Sequence, residues 1–128
     1  MKKATRRRFV RIARLLGFAL LNLTVASRIA DAQFRDVFGS MRPGPGDQQM
    51  VRDRVQTLLD GPADLRALEW DNPRSGNSGA VILQRELARG DRQCRQLEYR
   101  IVHRSQAWPE IVILVWCKQA NGRWMIAG

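Results

Sequence analysis

The chain has 128 residues and a net charge of +10, from 22 basic and 12 acidic side chains. Residues 1–32 hold eight of the basic residues and one of the acidic residues, so residues 33–128 carry a net charge of only +3. An excess this small is typical of a solvated protein surface and does not indicate a nucleic-acid partner. The length allows one small domain with a thin hydrophobic core.

Residues 1–32 have the pattern of a cleavable signal peptide. Basic residues dominate positions 2–14, and positions 15–26 are mostly apolar. Ala30 and Ala32 then form a small-x-small cleavage site, which predicts a mature chain that begins near Gln33. A membrane span needs roughly 20 apolar residues, so this run of about 12 predicts no transmembrane anchor after cleavage. We therefore expect an exported protein of the periplasm or cell surface.

The basic head leaves two export routes open. Residues 5–11 read Thr-Arg-Arg-Arg-Phe-Val-Arg, which fits the twin-arginine export pattern. Arg28, just before the cleavage site, also favours that route. Adjacent arginines also occur by chance in arginine-rich general secretory signals, so the general secretory route remains the alternative.

The exported part begins with a turn-rich segment and a short amphipathic helix. The Pro-Gly repeats of residues 43–46 predict a flexible leader over residues 33–46 and a single domain over residues 47–128. Asp47 is the predicted helix cap, and Gly61-Pro62 predicts the end of the helix. Between them, apolar residues recur at helical spacing: Met50, Val51, Val55, Leu58 and Leu59.

The rest of the chain has the alternation and turn chemistry of antiparallel strands. Residues 71–79 predict a long polar loop, Gly90-Asp91 a turn, and Asn121-Gly122 a two-residue hairpin turn. The predicted fold is α+β, with one short N-terminal amphipathic helix packed on a four- to five-stranded antiparallel β-meander that carries one disulfide. The predicted strands are Leu65–Trp70, Ala80–Leu87, Gln93–His103, Glu110–Lys118 and Arg123–Ala127.

The two cysteines, Cys94 and Cys117, predict a structural disulfide in an oxidising compartment. A zinc site needs more ligands than these two and the single His103, and a redox pair prefers Cys-x-x-Cys. A hairpin centred between residues 105 and 106 places the two cysteines opposite each other on neighbouring strands, within bridging distance.

The same pairing arithmetic predicts which sheet face the helix covers. With a two-residue Asn121-Gly122 turn, Cys117 lies opposite Ile126, and we expect the helix to pack on the face that holds the disulfide. That face also holds Ile113, Val115, Trp124 and Ile126, and the opposite face holds Leu97, Tyr99, Val112, Leu114 and Trp116.

One polar loop is the candidate interaction site. It combines an amphipathic indole with small polar residues and glycines, as a recognition loop on a rigid sheet does. The alternative is a structural turn whose glycines and Asn77 take left-handed positions while Trp70 fills the margin of the core. The candidate residues are Trp70, Asn72, Pro73, Ser75, Gly76, Asn77 and Gly79.

These residues carry a resemblance to a known family. The loop pattern Trp70-x-Asn72-Pro73-x-Ser75-Gly76-Asn77-x-Gly79 is followed by Cys94-Arg95, Trp116-Cys117 and Asn121-Gly122-x-Trp124-x-Ile126. In this order the motifs resemble the C-terminal domain of the rickettsial-type 17 kDa surface antigen family, over roughly residues 53–128. The resemblance implies a bacterial envelope antigen without an established chemistry. Many of its members are lipoproteins with a glycine-rich segment, and the sequence offers neither a lipoprotein cysteine nor that segment.

No motif indicates a reaction. His103 and Ser105 are too close in sequence to form a nucleophile–base pair, and no Gly-x-Ser-x-Gly elbow, phosphate loop or metal-ligand cluster is present. We therefore expect no enzyme, no cofactor and no metal; an enzyme would need a pocket that unites His103 with a carboxylate. The expected function is interaction or structural support with an envelope protein or cell-surface component as partner. The alternative is a periplasmic inhibitor or ligand-binding module directed at a hydrolase.

Overall fold

The computed structural model describes residues 33–127, so the predicted signal peptide and its cleavage residues Ala30 and Ala32 lie outside the described residues. Residues 33–39 are helical (α1), and α2 spans Asp47–Asp60. Five strands follow in one antiparallel sheet, in chain order: β1 (Ala67–Asn72), β2 (Asn77–Arg89), β3 (Arg92–Val102), β4 (Glu110–Lys118) and β5 (Trp124–Ile126). Within residues 33–127, no helix is both long and apolar enough to cross a membrane.

The antiparallel meander and its disulfide are confirmed. Cys94 of β3 lies directly opposite Cys117 of β4 and is bonded to it. Both cysteines are fully buried. A bridge across neighbouring strands fixes their register, because a slip of one residue would move every side chain to the other face.

The predicted flexible leader is wrong, because its apolar residues are part of the core. Phe34, Phe38 and Met41 are 4%, 1% and 1% exposed. The two phenyl rings stack with centroids 5.5 Å apart, and Phe34 lies 6.4 Å from the ring of Trp116. Their spacing of four and three residues is a helical signal, which the Pro-Gly repeats that follow obscured.

Helix α2 forms where the sequence predicts it, but Asp47 is not its cap. The cap is Gly46, whose φ of +84° is in the left-handed region, and Asp47 is the first helical residue. At the other end, the N–H of Gly61 donates to the carbonyl of Thr57 and closes the last turn. The helix contacts β1 and β2, and its buried side chains join the core cluster: Val51, Val55, Leu58 and Leu59.

The prediction of the face that holds the core is also wrong, and the last hairpin explains why. The N–H of Gln119 donates to the carbonyl of Arg123 at 2.7 Å, so the loop has three residues, with Gly122 at a φ of +82°. Trp116 therefore pairs with Ile126, and Cys117 pairs with Met125. One residue more in the turn moves the side chains of β5 to the opposite face from the predicted one.

The core lies on the face of the sheet opposite the disulfide. α1, α2 and the sheet together supply the buried residues of this face, which include Val81, Leu83, Leu97, Tyr99, Ile101, Trp116 and Trp124. On the other face, which we call the open face, Ile111 and Ile113 of β4 are 53% and 51% exposed. No helix among residues 33–127 covers them.

Arg95 of β3 joins the sheet to the carboxyl end of α2. Its Nη1 donates to the carbonyl oxygens of Leu58, Leu59 and Gly61 at 2.5, 3.1 and 2.8 Å. Its Nε and Nη2 donate to Glu86 Oε1 at 3.0 and 2.8 Å. The last carbonyls of a helix lack partners within the helix and carry partial negative charge. α2 has no basic residue in its last turn, so this strand residue supplies the positive charge.

A β-bulge brings Glu86 to that contact. The register of β2 against β3 shifts between Leu83 and Arg85, so that Glu86, rather than Arg85, lies opposite Arg95. Because of this extra residue, a carboxylate shares the core face with the buried guanidinium and neutralises it.

We expect the disulfide to contribute strongly to stability. The cysteines are 23 residues apart, and closing a loop of this length is worth about 3 kcal/mol. For a domain of this size, the C94A/C117A variant should have a Tm lower by roughly 12–24 °C, measured by circular dichroism. Reductant should lower the Tm of the parent protein and leave that of the variant unchanged. Equal melting of the parent with and without reductant would contradict the prediction.

Candidate functional site

The predicted interaction loop is a tight β-hairpin turn. β1 extends to Asn72 and β2 begins at Asn77, and these two residues pair with each other. Only residues 73–76 lie between them, so the predicted long loop over residues 71–79 is wrong. Gly76 has a φ of +74°, and its N–H donates to the carbonyl of Asn72 at 2.8 Å. Strand pairing therefore includes residues 71–72 and 77–79, whose polar character had predicted a loop.

The polar side chains of this turn point inward and bind the carboxylate of Asp47. Asn72 Nδ2 and Ser75 Oγ each donate to Asp47 Oδ1 at 2.6 Å. Asn77 Nδ2 and the N–H of Gly44 donate to Asp47 Oδ2 at 2.7 and 2.6 Å. We call Asp47, Asn72, Ser75 and Asn77 the Asp47 cluster. Asp47 and Asn72 are each 1% exposed, and Asn77 is 7% exposed.

These hydrogen bonds decide the charge of the carboxyl group. Burial by itself raises the pKa of Asp47, because it disfavours the charged form. The hydrogen bonds from Ser75, Asn77, Asn72 and the Gly44 N–H favour the charged form and outweigh burial, so the pKa lies below its ordinary value. Asp47 is therefore a carboxylate at neutral pH, at the amino end of α2 where negative charge is favourable.

The Asp47 cluster also joins three loops. Asn72 Nδ2 donates to the carbonyl of Pro45 at 2.7 Å, and Asn72 Oδ1 accepts the N–H of Arg74 at 3.0 Å. Asn77 Oδ1 accepts the N–H of Arg104 at 3.0 Å. The loop before α2, the β1–β2 turn and the loop after β3 are thus held together by side chains of a single turn.

Trp70 is buried and is not exposed at the protein surface. It is 3% exposed and belongs to the core cluster. The glycine opposite it, Gly79, has no room for a side chain, because a Cβ there would collide with the carbonyl oxygen of Arg100. These observations give Trp70, Asn72 and Asn77 structural roles. That the turn contacts a partner stays a prediction, and its exposed residues are Pro73, Arg74 and Gly76.

The structure unites His103 with a carboxylate, which is the arrangement that the enzyme alternative requires. His103 Nε2 lies 3.3 Å from Glu110 Oε2. His103 is 9% exposed and lines a cavity of about 630 Å³ together with Ser105, Trp108 and Glu110. The signal was available, because His103 follows β3 and Glu110 begins β4 across the same hairpin. Within residues 33–127, the imidazole contacts no hydroxyl or thiol that it would activate as a nucleophile.

The remaining candidates concern ligands and surface. In the described part of the chain, no group of three His, Cys, Asp or Glu residues is placed to hold a metal ion.

The buried phenol of Tyr99 accepts a hydrogen bond from Trp116 Nε1 at 2.9 Å. Burial raises the pKa of Tyr99, and the bond from Trp116 lowers it by less, so the phenol stays neutral. Among residues 33–127, Trp108 is the most exposed large apolar residue, at 82%.

No protein-family model, curated protein or solved structure matches the chain.

The Asp47 cluster gives a testable stability effect. The D47N variant keeps the shape but removes the charge that the surrounding donors bind, and bonds to a charged group are each worth about 1.5–3 kcal/mol. We expect a loss of at least about 2 kcal/mol at pH 7 in urea unfolding. The control is D53N, because Asp53 is exposed on the same helix and its side chain accepts a single hydrogen bond, from Gln49, within the described part of the chain.

The sign of the pH dependence follows from the lowered pKa. The contribution of Asp47 is present above the unfolded-state value of 3.8 and is lost as the pH falls through the lower folded-state pKa. Unfolding free energy should therefore fall with acid less steeply in D47N than in the parent. Parallel pH profiles of the two proteins would contradict the role assigned to the carboxylate.

Proposed function

We propose that this protein is an exported, non-catalytic component of a bacterial cell envelope that acts by interaction or structural support. The observation that carries the proposal is the Cys94–Cys117 disulfide. Disulfides of this structural kind persist in oxidising compartments and are rare in the cytosol. The signal-peptide pattern of residues 1–32 and the resemblance to surface antigens support the same destination.

The open face supports an interaction role. Ile111 and Ile113 project from the amino-terminal half of β4 and are more than half exposed. The solvated face of an antiparallel sheet normally carries polar residues at such positions. Val102, which is 38% exposed, adds to the same face across the β3–β4 hairpin. Burial of these aliphatic side chains against an envelope protein would be favourable.

The His103–Glu110 pair has a structural interpretation within this proposal. His103 follows β3 and Glu110 begins β4, so an ion pair or hydrogen bond between them joins the two strands at the base of the hairpin loop. The imidazole is buried and the carboxylate is 40% exposed, so the pair satisfies a polar ring that would otherwise be buried without a partner.

Export can be tested on the endogenous protein. We expect the periplasmic or surface fraction to contain a chain that begins near Gln33 and whose two cysteines resist alkylation until reductant is added. Mass spectrometry after thiol labelling measures both properties at once. The R6K/R7K variant should lose export only if the twin-arginine route is used. Full-length protein in the cytosol with both thiols free would overturn the proposal.

The interaction surface can be tested with a variant that leaves the core intact. The side chains of Ile111 and Ile113 are exposed, so I111T/I113T should fold with an unchanged circular dichroism spectrum. Its capture of an envelope protein from detergent extract should fall well below that of the parent. The matched control is I111V/I113V, which keeps the aliphatic surface. Equal recovery by the parent and both variants would rule out the open face as the site of interaction.

A further inference from the structure

Three arginines from three separate loops converge at one end of the sheet. Arg42 lies in the loop between α1 and α2, Arg74 in the β1–β2 turn, and Arg104 in the loop after β3. Together with His103 and Ser105, they line one cavity of about 570 Å³. We call Arg42, Arg74 and Arg104 the arginine cleft.

The guanidinium groups of the arginine cleft are not used by the fold. Three other arginines bind acceptors: Arg95 binds Glu86, Arg100 binds Glu98, and Arg54 binds the carbonyl of Glu69. Among the described residues, the side chains of the three cleft arginines have neither an ion pair nor a hydrogen bond. All three residues are exposed, so their charges face solvent.

Two carboxylates, those of Asp47 and Glu110, contact residues that line the cavity, and both already have partners. Asp47 is 1% exposed and its two oxygens accept four hydrogen bonds. Glu110 binds His103. No carboxylate lines the cavity itself. The carboxylate of Asp47 lies behind Ser75 and Asn77 of the cavity lining. It offsets only one of the three positive charges, so the guanidinium groups still repel one another and an anion would relieve that repulsion.

The Asp47 cluster positions two of the three arginines. The N–H of Arg74 donates to Asn72 Oδ1, and the N–H of Arg104 donates to Asn77 Oδ1, each at 3.0 Å. The stem of Arg104 lies over Gly76, because a Cβ on this glycine would be 2.7 Å from Arg104 Cδ. Backbone that is fixed before binding reduces the entropy cost of holding a ligand. The buried cluster thus supports an exposed cationic site.

Guanidinium groups suit one class of anion best. Their planar forks donate two parallel hydrogen bonds to oxygen pairs, and they pair strongly with phosphate oxygens. A phosphate has enough oxygens and charge to engage several arginines at once, whereas a carboxylate has two oxygens and one charge. We propose that Arg42, Arg74 and Arg104 bind a phosphate group.

Trp108 indicates where that phosphate could come from. It is 82% exposed and lines the neighbouring cavity together with Arg42, His103 and Ser105. Exposed indoles beside basic residues are common where proteins meet phospholipid headgroups. A phospholipid headgroup and a soluble phosphate share the chemistry that the arginine cleft recognises, and the experiment separates them.

The experiment uses the protein in the form isolated from cells. In one arm, inorganic phosphate is titrated at constant ionic strength against a chloride control and followed by calorimetry. In the other arm, the protein is sedimented with phosphatidylcholine vesicles that contain or lack phosphatidic acid. The cleft variant is R42Q/R74Q/R104Q. The matched control is R66Q/R85Q/R92Q, which removes the same charge from exposed arginines outside the cleft.

Binding in either arm that weakens at least about tenfold in the cleft variant, and stays near the parent value in the control, supports the proposal. Binding to vesicles alone assigns the phosphate to lipid, and binding of inorganic phosphate assigns it to a soluble ligand. Equal loss in both variants, or no saturable binding in either arm, overturns it.

A measurement on the parent protein covers the case in which the cleft variant does not fold. In a ¹⁵N spectrum, phosphate should shift the Nε signals of Arg42, Arg74 and Arg104 with one common dissociation constant. The signals of Arg66 and Arg92 should stay in place. Uniform shifts of all exposed arginines would contradict a specific site.

Discussion

The structure depends on one buried carboxylate. Asp47 begins α2 and is 1% exposed, and burial of a charge is unfavourable unless hydrogen bonds compensate. Asn72, Ser75, Asn77 and the Gly44 N–H supply those bonds. Because these donors come from the loop before the helix and from the β1–β2 turn, they can only bind Asp47 together when the helix lies against β1 and β2. The carboxylate thus couples a local event, the start of a helix, to the tertiary position of that helix.

The opposite end of α2 is held by the opposite charge. Arg95 donates to the last carbonyls of the helix and to Glu86. A negative group at the amino end and a positive group at the carboxyl end both complement the helix dipole. Because neither charge is exposed, salt weakens their electrostatic interactions with the helix ends less than it weakens surface ion pairs. With α1 and α2 fixed on one side, the sheet has one covered and one open face, and the loops at one end present the arginine cleft.

Local patterns in the sequence predicted the strands, the helix and the disulfide, because alternation, helical spacing and hairpin arithmetic involve neighbouring residues. The errors came from features that local patterns do not contain. Phe34 and Phe38 had the spacing of a helix, but the Pro-Gly repeats after them suggested a leader. The face that holds the core depended on whether the Asn121-Gly122 hairpin has two or three loop residues, a difference of one residue that both turn types allow. Local patterns could not predict the role of Asp47, because the side chains that bind it lie 25 to 30 positions away in the sequence.

The direct test is the ionisation of Asp47 in the folded protein. Its side-chain carboxyl carbon can be followed by ¹³C NMR as the pH is lowered, with Asp53 as an exposed reference in the same helix. If the surrounding donors stabilise the buried charge, the pKa of Asp47 lies below 3.8. A pKa above that value would mean that burial outweighs the hydrogen bonds, and the carboxylate could not be what holds α2 to the β1–β2 turn.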